Sequence, residues 1–142
     1  MNQYLLLFVA GFLLSFASIH SDKIIRWEVI GHKKISNNQD RTEIPIKVLT
    51  NKSQAIRFSI NNGNLEIHHA KLHFNDGEVQ TVPLRRKYKD GNMTKIVDLN
   101  GGLRNIIKCE LHYIPDRLAK SNPVIEFWAR TEVEEGLVDG KQ

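Results

Sequence analysis

From residue 22 onward the chain alternates apolar and polar side chains. Residues 24–35 set Trp27 and Val29 against Arg26 and Glu28, residues 43–49 alternate Ile44, Ile46 and Val48 with Pro45 and Lys47, and residues 55–60 alternate Ile56, Phe58 and Ile60 with Arg57 and Ser59. A period of two puts successive side chains on opposite faces of a strand, one face dry and one wet. The same pattern marks strands at 65–74, 78–88, 95–99, 106–114 and 123–131, the last carrying Ile125, Phe127 and Ala129 on one side. Asn61-Asn62-Gly63-Asn64, Asn75-Asp76-Gly77, Lys89-Asp90-Gly91-Asn92 and Asn100-Gly101-Gly102 separate them as turns, because Asn and Gly take positive φ cheaply. Pro45 has no N–H for a ladder, so its strand belongs at a sheet edge. Residues 118–122 read as a loop with room for one helical turn.

The segment 65–74 breaks its own rhythm. Leu65 and Ile67 share one parity, Leu72 and Phe74 the other. A strand with one dry face changes parity only through an inserted residue, which predicts a β-bulge at His68-His69-Ala70. About eight closely spaced strands without intervening helices predict an all-β fold, an antiparallel β-sandwich of jelly-roll or Ig-like kind. One domain over residues 22–131 accommodates all of it, and residues 132–142 read as an acidic disordered tail.

What precedes residue 22 is different in kind. Residues 4–17 form an almost unbroken apolar run, and the first charged side chain is Asp22. At about 14 residues the run is at the top of the range for a signal-peptide core and short of the roughly 20 needed to span a bilayer. Ser15-Phe16-Ala17 supplies small residues at the two positions a signal peptidase reads, so residues 1–17 are expected to be a helical signal peptide cut after Ala17. The usual basic start is missing, since Met1-Asn2-Gln3 carries only the α-amino charge, and an uncleaved anchor is the alternative. The expected location is periplasmic or secreted, with membrane contact only through this segment.

Charge and cysteine narrow the class. Net charge is +4, and because residues 132–142 carry four acids against Lys141 the remaining body carries +7. A basic exported body favours anionic surfaces such as lipid headgroups or acidic glycans. Nucleic acid is not an expected partner, given export and the lack of a recognition motif. Cys109 is the only cysteine, so no disulfide closes within the chain, and its place in the alternation Ile107, Cys109, Leu111, Tyr113 reads as a packed, inert thiol. No nucleophile elbow, phosphate loop or paired-cysteine metal motif is present, and no cofactor is expected. Asn51-Lys52-Ser53 and Asn92-Met93-Thr94 fit the N-glycosylation pattern, which matters only in a eukaryotic secretory pathway.

Three clusters carry candidate chemistry. His69 and His73 point the same way but lie about 13 Å apart at ~3.3 Å per residue, and His68 faces the other side. A metal site would therefore need a neighbouring strand to bring His112 and Glu110 to His69. Arg85-Arg86-Lys87 with Tyr88 is the densest positive run and suits phosphate or sulfate, although alternation on a strand divides it between two faces. In the stretch 98–106, Gly101 and Gly102 permit a tight turn and Asp98 is placed to pair with Arg104 across it, a structural pin.

The cadence is that of a family. Trp27-x-x-Ile30-Gly31, Asp40 ahead of Ile44-x-Ile46, Ile56-x-Phe58-x-Ile60, Leu65-x-Ile67, Leu72-x-Phe74-x-x-Gly77, and Asp98-Leu99-x-Gly101 with Arg104-x-Ile106 follow in order. This resembles the YaaI-like family of small exported bacterial proteins, whose function is uncharacterised. The ending Phe127-Trp128-Ala129-Arg130 before an acidic extension departs from it. The resemblance implies an exported bacterial β-domain and carries no catalytic residues. The sequence thus points to a non-enzymatic binding or envelope-associated module. The alternative is a glycan-active or hydrolytic enzyme with a site assembled across strands from groups such as His112, Glu110 or Asp98.

Overall fold

The computed structural model describes residues 22–48 and 51–134. The expected signal helix and residues 135–142 of the expected tail lie outside the described residues. Eight strands follow in order: β1 (Lys23–Lys34), β2 (Arg41–Ile44), β3 (Ser53–Asn61), β4 (Leu65–Phe74), β5 (Val79–Tyr88), β6 (Val97–Asp98), β7 (Ile106–Ile114) and β8 (Val124–Glu134). No helix occurs among the described residues.

The strands form two antiparallel sheets of four, ordered β1-β8-β3-β6 and β2-β7-β4-β5. First pairs with last, second with seventh, third with sixth and fourth with fifth, as in one long hairpin rolled up. Two further pairings, β3 with β8 and β4 with β7, close each sheet across the roll. Alternation then does what the sequence promises. Ile56, Phe58 and Ile60 of β3 and Ile125, Phe127 and Ala129 of β8 join Ala70, Leu72, Cys109 and Leu111 from the other sheet in one buried cluster. Burial of each large apolar side chain stabilises the fold by roughly 1.5–3 kcal/mol. At its centre Phe58 and Phe127 stack with ring centroids 4.8 Å apart.

The departures have local causes. The strand expected at 43–49 starts two residues earlier and ends at Ile44, immediately before Pro45. It is an edge strand bonded only to β7. Beyond the proline the chain turns along β1, where the Lys47 amide donates to the Ile30 carbonyl at 2.7 Å. The strand expected at 95–99 shrinks to β6, because the preceding segment docks on β3 through loop bonds instead: the Ile60 amide donates to the Asn92 carbonyl and the Thr94 amide to the Phe58 carbonyl. Residues 117–118 form a turn held by the Asp116 carboxylate, which accepts from the Leu118 amide, so the helical turn is not formed. The last strand runs on through Glu134, so residues 132–134 of the expected tail belong to the sheet. The bulge in β4 is present, with the register shifting between Ile67 and His69 against both neighbours.

Candidate functional site

The bulge shapes the outer face of the second sheet. Against β7, Ile67 faces Tyr113 and His69 faces His112, so His68 is the inserted residue. Insertion turns His68 out beside His69 instead of onto the opposite face, and their Nδ1 atoms meet at 2.6 Å. Register brings His112 to His69, with ring centroids 4.2 Å apart and planes only 12° from parallel. Glu110 sits on the same face, its carboxylate 3.2 Å from His112 Nε2 and 3.7 Å from His73 Nε2. His69, Glu110 and His112 are thus neighbours, but as a stack plus a hydrogen bond. Parallel imidazoles run their lone pairs side by side and do not converge on one ion. Among the described residues no group of three or more His, Cys, Asp or Glu is arranged for a metal. Asp40, Arg41, Tyr113, Ile114 and Pro115 complete an open groove there of about 490 Å³.

Electrostatics on this face oppose a proton on His69. Burial lowers its pKa below the usual 6.5, and the charges of His112, His68, Lys71 and Arg85 lower it further. For Glu110 burial pushes upward, but the His112 charge and hydrogen bond, with Lys108 and Lys71, outweigh it and the net shift is downward. Because His69 binds its proton more weakly folded than unfolded, its contribution is fully present above 6.5 and lost as pH falls through the folded value. The thermal midpoint is therefore expected to drop between pH 7.5 and 5.5, and to drop less in His69→Gln, as read by circular dichroism melts at both pH values.

The basic run sits on β5, the outermost strand of the same sheet. Ile67 faces Arg86 and His69 faces Pro83, so two residues of β5, Leu84 and Arg85, span the single bulge residue of β4. The parity of β5 carries through, since Leu84 and Tyr88 are both buried, but Arg86 between them is exposed, so Arg85, Arg86 and Lys87 are exposed in succession. The run is divided by parity, Arg86 with buried Leu84 and Tyr88 and Arg85 with Lys87, yet Arg85 and Arg86 both line one groove of about 270 Å³ at the strand's margin, together with Pro83, Leu84, Tyr88 and Lys95. Lys87 turns to Glu66 at 3.9 Å. Arg85, Arg86 and Lys95 have no carboxylate within ion-pair distance among the described residues. The Tyr88 ring is buried in the core 5.9 Å from the Arg86 guanidinium, and its hydroxyl donates to the Leu84 carbonyl at 2.9 Å. Burial raises that phenol's pKa, against the opposing charge of Arg86.

The expected Asp98–Arg104 pair is not formed. Asp98, 87% exposed, lies on the first sheet and faces Arg130 at 3.6 Å. Arg104, whose side chain is only 12% exposed, reaches the turn of the other sheet and binds Asp76 at 2.7 Å and Glu78 at 2.8 Å. It also donates to the Asn100 carbonyl and lies 4.1 Å from the Phe74 ring centroid. Gly101, at φ 85°, meets both demands of the turn, since a Cβ there would press within 3.0 Å of Arg104 Nη1. The stretch is a structural pin, with different partners. Cys109 is fully buried and burial pushes its thiol pKa upward, as a packed, inert thiol requires.

One cluster was not read from the sequence. On the outer face of the first sheet Arg57 lies 4.5 Å from the Trp27 ring and 5.9 Å from the Trp128 ring, and Arg130 lies 5.8 Å from Trp27. The row forms because Trp27 pairs with Arg130 and Arg57 with Trp128. Each residue has outward parity in its own strand, but strand neighbours carry no local signal.

Two four-stranded antiparallel sheets around one apolar core, with candidate groups only on outer faces and margins, define the chain as an all-β protein. It belongs to the DUF2541 family, a domain of unknown function, whose model matches residues 5–129. No curated protein matches the chain.

Proposed function

We propose that this protein is an exported bacterial module, of the YaaI-like kind, that binds an acidic glycan of the cell envelope and performs no catalysis. The rolled-hairpin pairing supports a jelly-roll sandwich over an Ig-like one, an architecture that lectin domains share. The apolar run at 4–17 supports export to the periplasm or beyond. The observation that carries the binding reading is the β5 groove, where Arg85, Arg86 and Lys95 line one opening with no carboxylate within ion-pair distance among the described residues. Guanidinium forks suit the phosphate, sulfate or carboxylate groups of an acidic glycan. Asp98 is on the first sheet and Glu110 and His112 on the second, so an enzyme reading would rest on the Glu110 and His112 pair without Asp98.

Titration with a heparin oligosaccharide tests this. Arg85→Ala/Arg86→Ala/Lys95→Ala is expected to weaken binding by about tenfold or more, the scale of a few charge-assisted hydrogen bonds. Lys33→Ala/Lys34→Ala/Lys47→Ala removes equal charge elsewhere and is expected to leave affinity within about twofold. Equal losses in the two triple variants would reduce the effect to net charge and overturn the reading.

A further inference from the structure

We infer that two copies of this chain pair edge to edge along β1, joining their first sheets into one continuous sheet. β1 is the outermost strand of that sheet and bonds β8 along one side only. On its other side, Lys47 takes the Ile30 carbonyl, and the stretch before Ile30 has no strand beside it among the described residues. Natural edges of this length are normally blunted, because unpaired N–H and C=O groups recruit another strand. This one carries charges and a register shift after Val29, but between them it also exposes apolar side chains: Ile24 is 43%, Ile25 56% and Val29 36% exposed.

The occupant follows from the sequence of the edge itself. In an antiparallel pair, opposed residues project to the same face, so a symmetric pairing of identical strands must centre on a residue. Centring on Arg26 or on Glu28 sets like charges against each other, which is destabilising. Centring on Trp27 sets Arg26 opposite the partner's Glu28, and Glu28 opposite the partner's Arg26. It also sets Ile25 against the partner's Val29 and Trp27 against its own copy. Within one chain Arg26 and Glu28 already lie side by side, with 3.9 Å between Nη2 and Oε2. The pairing therefore builds a square of four alternating charges on one face and an apolar row, Ile25, Trp27 and Val29 with their symmetry mates, on the other. Trp27 brings Arg57 to the edge of that row. A dimer presents two β5 grooves to one polyanion, but the inference does not depend on that role.

Sedimentation equilibrium of the purified chain over a concentration series is the test. The unaltered chain is expected to dimerise. Arg26→Glu and Glu28→Arg, each checked for native circular dichroism, are expected to raise the dissociation constant by about tenfold or more, since each sets like charges opposite each other in two places. Arg26→Glu combined with Glu28→Arg restores complementarity and is expected to restore the dimer. A chain that stays monomeric at every concentration, a dimer indifferent to either single reversal, or a double reversal that stays monomeric while folded would each overturn the inference.

Discussion

Replacing Phe58 with alanine is expected to destabilise the protein by about 3–5 kcal/mol, the cost of emptying an aromatic position in a core that cannot collapse around it. Phe58 is fully buried on β3 and stacks on Phe127 of the adjacent β8. The strand around it is fixed on both edges. β3 is paired with β8 on one side, and on the other the Phe58 amide donates to the Thr94 hydroxyl at 2.9 Å while its carbonyl accepts from the Thr94 amide at 2.8 Å. Those anchors stop β3 from moving inward to fill the void. Urea denaturation is expected to show the midpoint falling with an unchanged slope, because the surface exposed on unfolding is nearly the same. Phe58→Leu keeps part of the volume and is expected to lose less than half as much.

Gly31→Ala is the second large effect, and it acts through overlap instead of a void. Gly31 is buried where β1 passes the chain leaving β2, and a Cβ there would overlap the Pro45 carbonyl oxygen and press on Ile44 Cγ2 at 3.1 Å. A backbone oxygen has no rotamer to escape into, so the segment after Ile44 must lift away from β1. Lifting it breaks the bond from the Lys47 amide to the Ile30 carbonyl and uncovers Ile44, a residue with no exposed surface. Overpacking of this kind costs roughly 1–3 kcal/mol, and the broken bond adds about 1. Thermal melts are expected to show the loss, and amide exchange at Lys47 to rise well beyond the global change.

Much of the architecture was legible because alternation is a local property. Ile56, Phe58 and Ile60, or Leu111 and Tyr113, declare their inward face within a few residues. Even the bulge was readable, since Leu65 and Ile67 disagree in parity with Leu72 and Phe74. What failed to show was everything set by which strand lies beside which. Arg104 finds Asp76 and Glu78 across the roll instead of Asp98, six residues away in sequence. His68 leaves its expected face because the inserted residue is His68 itself. The Trp27, Arg57, Trp128 and Arg130 row draws on three strands whose order the sequence does not encode locally. Arg85 and Arg86 share a groove with Lys95, a residue outside their strand, which alternation along β5 does not announce.

The pairing of the first strand with the last has a temporal consequence. Lys23 lies opposite Glu134, and among the described residues β8 is the only rung joining β1 to β3. A polypeptide that emerges amino end first must hold β1 unmatched until Val124–Glu134 has been made. Sheets closed by such distant partners nucleate slowly. The first sheet thus closes only when β8 arrives to bridge β1 and β3.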